Sequence, residues 1–457
     1  MKREIAVALA MMLGLCGCKE AKTKDAVTAT DAQGNIIKAA LPAGDTPGIP
    51  EGTRVKVDEK NFPDEKFRNY ISENIDTDHD GELDASELYA TRRIDVSHRV
   101  ILDLKGIEHF TELEVLNCSG NLLDELDLSK NENLLELYCL HNLDMKALDL
   151  SHNSKLRVLC CNSAYGGKNI WREDEEFYWV SEDSEYWIHY YLGTTVDEKY
   201  WMQPNPMIIK KVSVSPMRVV RGNLKILDVT HCPELEYLDC GNNQLTRLDV
   251  SNNPELKYLD CSVNELTTLA TAWNPELQYL DCRYNQLIHL DISYNPNLIY
   301  LKCGNNDMES LTADNDPGLE TLDCADNRLE SLNLSGCSGL KNLRCTNNEL
   351  TTVDVSHSPN LMYLICPSNS LSALNIRNNP SLKYLDCSVN VLEELDVSAC
   401  PDLSMLICYH NLIQDLDLSR NPDLYQVLSD MKDDAEDVNS DRETQEPSTI
   451  PYVFIVY

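Results

Sequence analysis

The sequence predicts a β-dominated solenoid, in which short parallel strands stack one per turn of 21 residues. Three observations predict it. Cysteines recur every 21 residues at 118, 139 and 160, and again from 240 to 408. An asparagine follows each three residues later in nearly every turn, for example Asn121, Asn243, Asn264 and Asn390. The remaining letters repeat as L-x-x-L-x-C-x-x-N-x-L-x-x-L-D-L-S-x-N-P-x. A fixed period of this size means units that bury their apolar faces against their neighbours.

The first half of each unit alternates leucine with polar residues, which marks a short strand with its leucines inward. The second half, such as Leu248-Asp249-Val250, alternates too and predicts a second short strand along the back. The repeat resembles the leucine-rich repeat over about residues 93–429, apart from one interruption. That resemblance implies that the asparagine side chain bonds the backbone of the following turn.

The cysteine takes the third apolar position. Stacked strands lie about 4.8 Å apart, whereas a disulfide wants Cβ atoms at roughly 3.5–4.5 Å. Cys232, Cys337 and Cys400, in the second asparagine slot, lie several turns apart. A straight inward column also offers no tetrahedron for zinc. The ladder therefore reads as a spine of small buried thiols.

Strand alternation places one side chain per turn on the inner, concave face, two residues before the next such position. The first slot carries Tyr237, Tyr258, Tyr279, Tyr300, Tyr363 and Tyr384. The second carries Asp239, Asp260 and Asp281. Both slots are expected to face solvent, as a Tyr/Asp surface for a protein or glycan ligand. Stacking of like residues along a ladder is the alternative, purely structural use of the tyrosines.

The repeat breaks over 164–212, where four of the five tryptophans lie, Trp179 and Trp187 among them. This stretch reads as a protruding aromatic hairpin, a second candidate for ligand contact, or one that packs its own small core.

Residues 76–87 read DTDHDGELDASE. Asp76, Asp78, Asp80, Glu82, Asp84 and Glu87 offer oxygens at the spacing that a hard Ca²⁺ ion requires, with Gly81 at the sharp turn. The match resembles an EF-hand, although only one such loop occurs. The resemblance implies Ca²⁺ as the bound ion, in a structural role that caps the first repeat. Upstream, Pro63 to Ile75 predicts the entry helix.

The start of the chain reads as an export signal, with Lys2 and Arg3 ahead of an apolar stretch. Leu15-Cys16-Gly17-Cys18 resembles the bacterial lipoprotein box, which implies a lipid on Cys18 and a place in the cell envelope, outer-membrane surface or periplasm. The chain then divides into signal peptide (1–18), flexible tether (19–57), EF-hand-like segment (58–92), first repeat block (93–163), insertion (164–212), second block (213–429), and an acidic tail ending in a candidate capping strand (430–457).

The formal net charge is −36. Such a surface repels nucleic acid and anionic headgroups, so contact with a membrane is expected through the lipid alone. No HExxH, nucleophile–histidine or phosphate-loop motif stands out, which argues against an enzyme. The whole resembles bacterial surface proteins that set a single EF-hand-like segment ahead of internalin-type leucine-rich repeats. The resemblance implies a monomeric recognition or adhesion protein. The alternatives are a scaffold without a ligand, and an enzyme with its site in 164–212.

Overall fold

The computed structural model describes residues 49–50, 52–163, 222–313 and 316–429. The expectations for Cys18, for Trp179 and Trp187 in the insertion, and for the terminal capping strand lie outside these residues. Arg54–Tyr165 and Val220–Gln445 make one compact unit, which the following concerns.

Its spine is a parallel sheet of 14 three-residue strands, from Arg93–Asp95 to Gln426–Leu428, each paired with the strands of the turns before and after. Leu259 sits between Leu238 and Leu280, because the register advances by one repeat. Equal slots therefore align, and every leucine column is continuous. Leu238, Cys240, Leu259 and Cys261 are fully buried. Each such leucine contributes about 1.5–3 kcal/mol through burial, and the ladder multiplies that over its length.

Every cysteine among the described residues is a buried thiol, with no disulfide. One ladder position differs from the sequence expectation. Tyr138 pairs with Cys160, so Cys161, and not Cys160, stands in line with Cys139. The turn there is one residue longer than the consensus, and Cys160 falls in the slot that Asp239 occupies in the next strand. That pairing of Val158–Cys160 with Tyr237–Asp239 also carries the sheet straight across the interruption in the repeat.

Asparagine stitches the turns. Asn264 Nδ2 donates to the carbonyls of Cys240 and Cys261, while its Oδ1 accepts from Leu245 N. The residue before that asparagine has a positive φ in turn after turn, as at Asn242, Val263, Tyr284 and Val389. The continuous second strand expected along the back is not there. Among the described residues only Ala147–Asp149 with Ile226–Asp228, and His289–Asp291 with Ser310–Thr312, form pairs there, besides one isolated bridge between Asp354 and Asn375. Asp–Ser turns follow this segment with or without a strand, as where Ser251 N donates to Asp249 Oδ1 at 2.9 Å.

The N-terminal end of the sheet is covered. Asp64 caps the helix Glu65–Asn74, and its second oxygen accepts from Leu102 N. Phe67 and Ile71 from that helix are buried, with Phe62 against both Phe67 and Phe110.

Candidate functional site

The acidic loop lies between the helices Glu65–Asn74 and Ala85–Ala90. Gly81 turns the chain at φ +84°, with its N–H donating to Asp76 Oδ2. Oxygens of Asp76, Asp78 and Asp80 lie within 4.8 Å of one another. Asp76 is 1% exposed, and its Oδ1 is buried without a hydrogen-bond partner. An orphaned buried carboxylate oxygen is costly, and a cation would supply the missing partner. The donor set is all oxygen, as Ca²⁺ prefers.

The other three residues of the predicted loop, Glu82 expected through its backbone carbonyl, Asp84 through a water and Glu87 as the bidentate ligand, have partners within the protein for their side chains. Glu82 faces Arg54 across a short ribbon in which Val55 pairs with Leu83, and Arg54 also reaches Asp80 at 3.1 Å. Asp84 and Glu87 form the capping box of the exit helix. Glu87 Oε2 accepts from Asp84 N, and its Oε1 accepts from Thr77 N and Oγ1. The ribbon gives the single loop a partner strand, Arg54–Lys56, that sequence reading had placed in the tether.

The sheet face departs from expectation. Tyr237, Tyr258 and Tyr279 do not point to solvent; they are buried. In-register pairing brings their rings face to face, with centroids 4.1 Å apart between Tyr237 and Tyr258 and 4.5 Å between Tyr258 and Tyr279. Each ring face is thereby covered by a neighbour. Tyr300 tilts away at 6.3 Å, and it is half-buried, as are Tyr363 and Tyr384.

The carboxylates beside them are not fully exposed either. Asp239 and Asp260 are half-buried and Asp281 is buried. Burial pushes Asp239 up to about 6, against the pull of hydrogen bonds from Asn162 and Gly241. Burial also raises Asp260, helped by the charges of Asp281 and Asp239. For Asp281 burial acts in the same direction, but the Arg283 guanidinium at 2.7 Å and Lys302 outweigh it and hold the carboxyl below its ordinary value. This column is a partly desolvated electrostatic strip that lies beside a tyrosine stack.

The most exposed aromatics among the described residues lie elsewhere. Trp273 is 67% exposed and Tyr294 60%, both in the slot just before the second asparagine of the repeat. Sequence reading passed over them because it looked only at strand positions. The available signal was ATAWNP standing where other turns have D-L-S-x-N-P.

A model of two leucine-rich-repeat copies matches residues 233–274. Together with the stacked register, this decides the architecture. The fold is a leucine-rich-repeat solenoid. Among solved structures it is similar to the functional domain of InlJ from Listeria monocytogenes, which includes a cysteine ladder: 25% identity, 83% of this chain and 77% of that one, TM-score 0.58. The internalin InlF from the same organism covers 82% of this leucine-rich-repeat chain and 97% of its own, at 18% identity and TM-score 0.57. YopM, a leucine-rich effector of Yersinia pestis, matches 79% of this chain and 85% of its own, at 20% identity and TM-score 0.51. No curated protein matches the chain.

Proposed function

We propose that this leucine-rich-repeat protein is a non-enzymatic recognition or adhesion protein of the bacterial cell envelope, held there by a lipid on Cys18. The observation that carries the reading is the single parallel sheet of 14 strands in unbroken register. It presents equivalent side chains at fixed steps along one face, the kind of extended surface that repeat proteins use for binding. Because Tyr237, Tyr258 and Tyr279 are spent on one another, the ligand contacts fall on the half-exposed Tyr300, Tyr363 and Tyr384. The partner is a protein or glycan. The similarity to internalin structures supports this reading through fold alone.

The acidic loop is read as a structural Ca²⁺ site at the covered end of the solenoid. Asp76, Asp78 and Asp80 would hold the ion, and the orphaned Asp76 oxygen supports this. Glu87 would join only by releasing Thr77 N.

The test of recognition is an interferometry screen of the full chain against immobilised host proteins and glycans. Binding that falls at least about tenfold in Tyr363→Ala/Tyr384→Ala, a loss typical of anchoring aromatics, supports the reading. Equal binding by the variant removes the sheet face from it.

A further inference from the structure

Trp273 and Tyr294 occupy one slot on adjacent turns. Each precedes a buried asparagine, and Asn295 Nδ2 donates to the carbonyls of both Thr271 and Asn274, at 2.9 Å each. The two rings therefore leave the solenoid one turn apart, a step of about 4.8 Å. Nothing in the fold uses them, since both are mostly exposed. Going back along the chain, the same slot holds Asn252, His231 and His152, all exposed. The pairing of Ala147–Asp149 with Ile226–Asp228 makes the last two turns neighbours. Five successive turns thus set planar side chains in one line.

The turn of Trp273 departs from its neighbours in its capping. Thr230, Ser251 and Ser293 each donate N–H to an aspartate two residues earlier, at 2.9–3.0 Å. Ala270 and Ala272 remove both the aspartate and the serine from this turn. The turn loses a capping hydrogen bond, and a charge disappears beside the indole. A surface tryptophan whose turn lacks the usual aspartate suits a ligand that stacks on the ring.

The line is one side chain wide and about 19 Å long, four steps of about 4.8 Å. That is too narrow for a protein partner, which covers about 800 Å² on each side. An extended polymer lying along the solenoid axis fits. The chain carries −36 net charge, and Glu255 and Glu276 flank the line, exposed. Polyanions are repelled, whereas hydroxyl groups can donate to those carboxylates. We infer that Trp273 and Tyr294 form the centre of a binding strip for an extended, uncharged polysaccharide, distinct from the sheet face, stacking its C–H surfaces on the two rings.

Native gel electrophoresis through barley β-glucan, xyloglucan or galactomannan, with polygalacturonate as the anionic control, tests this on the full chain. Retardation is expected in at least one neutral gel and none in polygalacturonate. Trp273→Ala/Tyr294→Ala should weaken it at least about tenfold, the loss of 1.4 kcal/mol or more, with an unchanged melting temperature. Trp273→Phe should retain most of it. Ala270→Asp/Ala272→Ser should raise the melting temperature and weaken retardation. No retardation in any neutral gel overturns the proposal, as does equal retardation of the double alanine variant. A shift from dimer to monomer in that variant, seen by sedimentation velocity without a change in retardation, assigns the rings to a contact between copies and also overturns it.

Discussion

The carboxamide of Asn264 accepts the backbone N–H of Leu245, one turn earlier, at 2.9 Å. Its Nδ2 also donates to the carbonyls of Cys240 and Cys261 at 3.1 Å each. Asn253, in the second asparagine slot, donates to Val229 and Cys232, but its buried Oδ1 has no hydrogen-bond partner. Asn264 therefore uses both ends of its amide, whereas Asn253 uses only the donor. A thiol can donate weakly, as Cys337 Sγ does to the Ala313 carbonyl at 3.2 Å. This accounts for cysteine at 337 and 400 in the second slot, where its gain from shedding an unpaired oxygen offsets a weaker bond.

Asn264→Cys should accordingly destabilise by about 2–3 kcal/mol, since it strands a buried N–H and two carbonyls. Asn253→Cys should cost under about 1 kcal/mol. Thermal midpoints of the two variants check the difference, and equal losses would remove the distinction between the slots.

Val389 is 41% exposed and sits at φ 53°, in a slot filled by asparagine at 242, 305 and 347. A left-handed conformation costs an ordinary residue about 1–2 kcal/mol, and a β-branched one finds it hardest. Its N–H donates to Tyr409 O at 2.9 Å, a backbone bond that any residue keeps. Val389→Asn should therefore stabilise by about 1 kcal/mol. A melting temperature that falls instead would show that the valine side chain packs against something the strain argument omits.

What the sequence revealed, and what it hid, follows from how far each signal reaches. The period fixed strand register, so the leucine and cysteine columns were legible one turn at a time. The extra residue between Cys139 and Cys161 was not, because Cys160 stands at the expected spacing and a single slip of register is decided by pairing, not by letters. Alternation told that Tyr237 and Tyr258 lie on the concave face of the sheet, away from the leucine core. It could not tell that their rings would close on each other at 4.1 Å, since side-chain packing between turns leaves no periodic trace. The loop spacing brought Asp76, Asp78 and Asp80 to light, whereas the capping box of Asp84 and Glu87 shares its residues with the last ligand positions and was not legible beside them.

Asp239 gives the protein an unusual response to pH. Burial raises its folded value to about 6, above the unfolded aspartate value of about 3.9. The native state then binds more protons than the unfolded state between these values, so this group's contribution to stability falls as pH rises through them. It is most favourable below about pH 4 and fully lost above about pH 6. Around it stand Asp260 and Asp281, with Arg283 and Lys302 countering only the last. Asp239→Asn should raise the melting temperature most at pH 7 to 8, with the gain shrinking toward pH 4. Melting curves of both proteins at matched pH isolate this group from the background of a −36 chain. A gain that is constant with pH would show that the carboxylate is not desolvated.

The acidic loop supports the sharpest prediction. Three aspartates converge within 4.8 Å, one with a buried oxygen lacking any partner, on a chain already strongly anionic. Without a cation they repel one another at the end of the solenoid where Asp64 ties the entry helix to Leu102 N. An ion that binds only the folded state stabilises it by about 2.7 kcal/mol at a hundredfold excess over Kd. A single site of extracellular type binds at about 10⁻⁴–10⁻³ M, so the titration must reach millimolar calcium. Asp76→Ala removes the buried ligand and should abolish the calcium-dependent rise in melting temperature. Glu87→Gln separates two roles. The amide can still accept from Thr77 or Asp84, so the variant should lose little stability in chelator while its calcium titration shifts to higher concentration if Glu87 turns to the ion. An unshifted titration would leave Glu87 as a helix cap and the three aspartates as the ligands. Magnesium at equal concentration should do little, because it parts reluctantly with its water. Wild-type melting curves that coincide in excess chelator and in several millimolar calcium would rule out the calcium cap altogether.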